Sequence, residues 1–227
     1  MQRCIQCGVL LLSLFFLSCS KKSDSEKISK IDKGITSLND SVYVSPNKHF
    51  LDLFKDEDLT VKLIAPPEDV TRQLAGSTHL KNDFLPLFPK FFPVGNPENP
   101  AVYALSKFVV DKSTLGLLTQ NEQEKKLSSI NLLLYNRQAE MSSQFIELAD
   151  KASDDRFTSD KRTVLVKDSS GVKGLMKYET SVKPLDANDP TIPVTNTSWY
   201  RIEIKSGRID TAKASSADIA SYRRYFN

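Results

Sequence analysis

The sequence predicts a mainly β protein: an antiparallel meander, built as a sandwich, an open barrel or a curved sheet, with a short C-terminal helix. Three observations lead there. From Val42 onward apolar residues recur with period two, the mark of half-buried strands. Turn residues interrupt these runs at short spacing, with no long helical run between them. Only Ser215 to Tyr225 changes period, with Ile219, Tyr222 and Phe226 falling near one face of a helix that Ser215 or Ser216 caps.

The chain starts differently. Met1-Gln2-Arg3 carries one positive charge, Gly8 to Leu17 is apolar apart from Ser13, and the run stops at Ser18-Cys19-Ser20-Lys21-Lys22. That is the anatomy of a secretion signal. Val9 to Ser18 is half of the roughly 20 apolar residues that a membrane-spanning helix needs. Phe16-Leu17-Ser18-Cys19 resembles the lipobox of a bacterial lipoprotein signal peptide. The resemblance implies cleavage before Cys19, lipid on its thiol and an envelope location, at the outer membrane. Ser20 to Glu26 resembles the polar, charged starts of Bacteroidota envelope lipoproteins, some of which reach the cell surface.

These readings divide the chain into a signal (1–18), a polar tether (19–41) and one β-rich domain (42–227). Within the tether, Ile28, Ile31, Ile35, Leu38 and Val42 recur at three and four residues, so a short amphipathic helix is the alternative. Cys4 and Cys7 leave with the signal, so their Cys-x-x-Cys spacing carries no redox or metal content. With Cys19 acylated, no thiol remains for a disulfide or for zinc. Removing residues 1–18 takes away Arg3 and no acid, leaving a net charge of +2. Lys and Arg are spread along the chain, and no nucleic-acid partner is expected.

Strands are expected at Leu59–Ile64, Tyr103–Val110, Ser129–Tyr135, Thr163–Lys167, Gly174–Val182 and Trp199–Ile204. Asn136-Arg137-Gln138 turns the chain toward a return at Phe145-Ile146, and Ser206-Gly207 turns it toward Arg208–Asp210. The two strand pairs at 130–146 and 199–211 resemble those of secreted β-propellers and of Bacteroidota lipoproteins, which implies antiparallel β structure. The mature chain is short for a full propeller.

Asp83 to Gly95 holds four phenylalanines and three prolines. Proline removes a donor and fixes φ, so an extended apolar loop is expected there rather than a helix or a central strand. Phe84, Phe88, Phe91 and Phe92 either plug an open end of the sheet or form an exposed lip for a ligand, a membrane or a partner.

Catalytic signatures are missing. His49 and His79 are the two histidines, and Ser77 near His79 makes no recognisable triad. No nucleophile elbow, zinc-binding His-Glu-x-x-His or phosphate loop occurs; Gly171-Val-Lys-Gly174 is too short for the last. Asp186-Ala-Asn188-Asp189-Pro190 reads as a turn, lacking the central Gly and closing Glu of an EF-hand loop. Asp154-Asp155 reads as a solvated loop. Trp199 and Tyr200 read as sheet packing rather than a sugar platform. Asp40-Ser41-Val42 and Asp210-Thr211-Ala212 resemble Bacteroidota O-glycosylation sites. No cofactor and no metal are expected. The leading expectation is a lipid-anchored binding or assembly-accessory module with an envelope protein partner. The alternative is a secreted hydrolase that cleaves glycans with carboxylates.

Overall fold

A computed structural model describes residues 47–67, 77–96, 99–123, 127–183 and 193–226. All fall within the unit Val42–Asn227. A short helix, α1 (Lys48–Leu51), comes first. Short strands follow: β1 (Lys55–Asp56), β2 (Val61–Ile64), β3 (Thr78–His79), β4 (Gly95–Asn96) and β5 (Asn99–Pro100). The body is a meander of β6 (Val102–Val109), β7 (Thr114–Gln123), β8 (Leu127–Asn136), β9 (Met141–Ser153), β10 (Phe157–Asp168), β11 (Gly171–Val182), β12 (Val194–Lys205) and β13 (Arg208–Lys213). The chain ends in α2 (Ser216–Tyr222) and a 3₁₀ turn.

Eleven strands share one sheet, in the order β1-β6-β7-β8-β9-β10-β11-β12-β13, with β2 added on β10 and β3 on β6. The sheet is mostly antiparallel and is not closed into a barrel. It is mainly β with a short C-terminal helix, the fold class the sequence predicts. Eleven of the thirteen described strands thus belong to one sheet rather than to separate propeller blades, and β4 and β5 pair only with each other.

Local chemistry explains the hairpins. Ser206 and Gly207 both have positive φ, 52° and 71°, in the two-residue turn joining β12 to β13. Such a turn matches the strand twist and needs left-handed backbone at both positions. Asp168 Oδ1 accepts from Ser170 N at 2.7 Å in the β10–β11 turn. Asn136 Oδ1 accepts from Gln138 N and Ala139 N in the β8–β9 turn. These are the local side-chain bonds for which Asp and Asn favour turns.

β9 and β10 fork. They pair only between Asp150–Ser153 and Thr158–Lys161. Beyond the fork β10 pairs with β2, Thr163 opposite Ile64 and Val166 opposite Val61. Thr163 Oγ1 donates across the fork to the Leu148 carbonyl at 2.6 Å. The sheet bends here, so side chains of β6–β9 meet those of β10–β13 in one large core. Phe108, Leu118, Leu132, Leu134 and Leu148 pack there with Leu165, Val172, Ile202 and Ile204.

A second core lies on the other face of β6–β8. Leu117, Leu133 and Tyr135 pack there under Phe50, Phe54, Leu80, Phe88 and Phe92 from the N-terminal segment. β8 is therefore buried on both faces, and Leu132, Leu133, Leu134 and Tyr135 are all fully buried. Lys107 fixes the covering layer by donating Nζ to the Leu51 and Phe54 carbonyls, both at 2.9 Å, at the end of α1.

The Phe/Pro segment departs from the expected extended loop. Asn82–Leu87 forms a 3₁₀ helix that contains Pro86. A 3₁₀ helix needs φ near the value proline already has. Its bonds run from Phe84 N to Lys81 O and from Phe88 N to Leu85 O, so the missing Pro86 donor is not called upon.

Candidate functional site

The phenylalanines separate by role. Phe88 and Phe92 stack, with centroids 5.0 Å apart and planes at 13°. Phe92 meets Phe145 edge-on, and Phe50 contacts Phe84, Phe88 and Tyr135. Phe88 and Phe92 are core side chains, and Phe84 is half-buried against them. They cover a face of β6–β8 rather than an open end of the sheet. Phe91 stands apart at 90% exposure, beside exposed Lys90.

The far ends of β10, β11 and β12 form an arm beyond the two cores. Residues 194–198 are exposed without interruption. A shallow depression of ≈ 350 Å³ lies here, lined by Lys151, Thr158, Ser159, Asp160, Glu179, Thr180, Ser181 and Thr195. Its floor follows from register. Thr158, Ser181 and Thr195 stand opposite one another in adjacent strands, and so do Asp160, Glu179 and Thr197. Two carboxylates facing each other across strands repel. Each has its own cation: Arg162 holds Asp160 through two bonds, of 2.7 and 3.0 Å, and Lys177 lies 2.8 Å from Glu179. The depression is thus lined by hydroxyl side chains, by Asp160 and Glu179 in ion pairs, and by Lys151.

At the fork stands a second acidic group. Burial pushes the Asp150 carboxyl above its ordinary range, and the neighbouring Glu147 charge adds to this while Lys161 opposes it. Glu147 itself is bound by Lys161. Glu57 goes the other way. Burial raises it, but hydrogen bonds from Lys62 and Ser106 outweigh burial, and its carboxyl titrates below the usual value. It ties Ser106 on β6 to Lys62 on β2 at 2.5 and 2.6 Å.

Other sequence candidates fall apart as sites. His79 lies exposed in β3 against the Tyr103 ring, and His49 lies on α1 near Phe84. Trp199 meets Phe226 edge-on at 5.3 Å, so the C-terminal segment covers it. Asp154 accepts from Arg156 N and Phe157 N in the β9–β10 turn. Asp210, Thr211 and Ala212 are exposed on β13. Cys4, Cys7, Cys19, the tether, Asp40-Ser41-Val42 and Asp186–Pro190 lie outside the described residues. Among the described residues no cluster of three His, Cys, Asp or Glu side chains is placed to hold a metal, and no helix is long and apolar enough to cross a membrane.

Sequence reading missed one unusual feature. The far half of β7 and the start of β8 bury Thr119, Gln120, Asn121, Ser128, Ser129 and Asn131. Asn131 Nδ2 donates to Ser129 Oγ at 3.0 Å, whereas both amide atoms of Gln120, Thr119 Oγ1 and Asn131 Oδ1 have no hydrogen-bond partner among the described residues. Buried polar atoms are normally paired, so this patch is costly to the fold. No protein-family model, no curated protein and no solved structure matches the chain.

Proposed function

We propose that this protein is a lipid-anchored bacterial envelope lipoprotein, held to the outer membrane through Cys19, whose β body is a non-enzymatic binding or assembly-accessory module for an envelope partner. The anchor rests on the sequence, where a short apolar run ends at Phe16-Leu17-Ser18-Cys19. The binding role rests on one observation: the β10–β12 arm extends past both cores and carries a shallow depression, lined by Ser, Thr and charged residues, that the fold does not fill. A strand end that buries little gains little from folding, so it is retained for contact.

Labelling cells with a fatty-acid analogue tests the anchor. Wild type is expected to label and Cys19→Ala not to; equal labelling of the two overturns the reading. The hydrolase alternative has one observation in its favour, the raised Asp150 carboxyl beside Glu147. A raised carboxyl is what a general acid needs. Envelope glycans incubated with the protein are expected to release no reducing ends. Release that disappears in Asp150→Asn would establish the hydrolase instead.

A further inference from the structure

We infer that the protein self-associates through the open edge of β12, residues Val194 to Ser198, paired antiparallel with the same segment of a second copy. β12 is paired along its whole length with β11 on one side. On the other side β13 reaches only from Tyr200 to Lys205. Ala214 N then takes the Trp199 carbonyl at 3.0 Å, and the cover ends. The five residues beyond are exposed and paired with no other strand among the described residues.

The direction of the backbone groups follows from that last bond. In an antiparallel strand each residue points its N–H and C=O to the same side, and alternate residues point to opposite sides. The Trp199 carbonyl points away from β11, so the groups of Thr195 and Thr197 do too. Those of Val194, Asn196 and Ser198 are turned into the β11 ladder. The open edge therefore presents the donors and acceptors of Thr195 and Thr197.

One two-fold register uses these groups and no others. With Asn196 opposite Asn196 of the second copy, Thr195 faces Thr197 and Thr197 faces Thr195. Each of these pairs exchanges both of its hydrogen bonds. Moving the centre to Thr197 would bring Thr195 against Trp199, whose carbonyl Ala214 already holds. Moving it to Thr195 would bring Thr197 against Pro193, which has no N–H. In the Asn196 register Pro193 falls opposite Trp199, where no donor is required.

The side chains fit a second copy of this chain rather than a charged partner. Val194-Thr-Asn-Thr-Ser198 carries no charge, so self-pairing sets no like charges opposite one another. Natural edges are usually blunted by lysine, proline or a bulge. β13 is blunted in that way, being short and carrying Arg208, Asp210 and Lys213, whereas Val194–Ser198 has none of these devices within it and Pro193 only closes its end. Thr195 also lines the shallow depression, so pairing would join the depressions of the two copies across the two-fold axis.

Cysteine cross-linking tests the register on the full chain with Cys4, Cys7 and Cys19 changed to Ser. Asn196→Cys sets two thiols opposite each other at a non-hydrogen-bonded site, with Cα atoms about 4.5 Å apart, close enough for a disulfide. Ser198→Cys lies on the same face, equally exposed, but about 14 Å from its own copy. Mild oxidation should give at least tenfold more disulfide dimer for Asn196→Cys than for Ser198→Cys. Adding Thr195→Pro removes an outward donor without touching the β11 ladder, and should bring the yield down to the Ser198→Cys level. Thr195→Lys should do the same, and circular dichroism should show both variants folded. Equal yields at the two cysteines, no dimer at Asn196→Cys, or a yield that Thr195→Pro and Thr195→Lys leave unchanged would each overturn the inference.

Discussion

At the scale of single residues, neighbouring phenylalanines have opposite weights. Phe88 is buried between Phe50 and Phe92, and truncating such a side chain removes its transfer energy and leaves a cavity. Phe88→Ala is expected to lose about 3–5 kcal/mol in denaturant unfolding. Phe91→Ser, three residues on, is expected to stay within about 0.5 kcal/mol of wild type. A large loss at Phe91 would mean that its ring is covered in the native protein. Asp150 makes a pH-dependent prediction. Its folded-state carboxyl is raised, so the ionised form costs stability at neutral pH and the cost fades as pH falls through the carboxylate range. Asp150→Asn should raise the Tm at pH 7, and the difference should close in acid. A Tm difference that widens in acid would show the opposite sign of shift.

Elements show which parts of the fold the sequence carries openly. Strands with one face in a core and one outside are legible, because the period-two pattern is the burial pattern. β12 and β13 with their Ser206-Gly207 turn are an example, and so is α2. There Ser215 Oγ accepts from Asp218 N at 3.2 Å and Asp218 Oδ2 accepts from Ser215 N at 2.9 Å. β7 was missed for a physical reason. Like β8 it is buried on both faces, so no alternation survives, but where β8 shows the apolar run Leu132–Tyr135, β7 buries Thr119, Gln120 and Asn121, and Gly116 sits within it because a Cβ there would come within 2.5 Å of the Phe108 ring. The available clue was the turn before it, where Asp111 Oδ1 accepts from Ser113 N. α1 has only four residues, too few for periodicity, and its position depends on Lys107 from a distant strand. Lys107→Met is expected to cost about 1–3 kcal/mol by leaving two carbonyls unpaired, and proteolysis should then cut first near residues 48–54. A variant as resistant as wild type would show that Phe50 and Phe54 alone hold α1. The depression was invisible in the sequence, since its lining comes from four strands whose register sequence does not state.

Across the whole molecule, burial is unevenly distributed. β7 and β8 lie between two cores, whereas the β10–β12 arm projects past both. Local opening follows such differences. Amide hydrogen exchange is expected to be slowest at Leu132–Tyr135 and fast at Thr195 and Thr197, whose N–H groups point outward. Uniform protection across β8 and the edge of β12 would contradict this in dilute protein. Under conditions that favour self-association, protection should appear at Thr195 and Thr197 first.

The fork between β9 and β10 also sets a timetable. β2 is made early, but among the described residues its strand partner is Thr163–Val166 of β10, about a hundred residues later in the chain, a separation that slows folding. α1 and the Phe/Pro segment likewise precede the strands they cover. A chain emerging from its N-terminus therefore carries its greasiest aromatic residues unsheltered until β6–β8 arrive, and it cannot finish its larger core until β13 is out. Completion of the larger core is withheld until Arg208–Lys213 has been delivered.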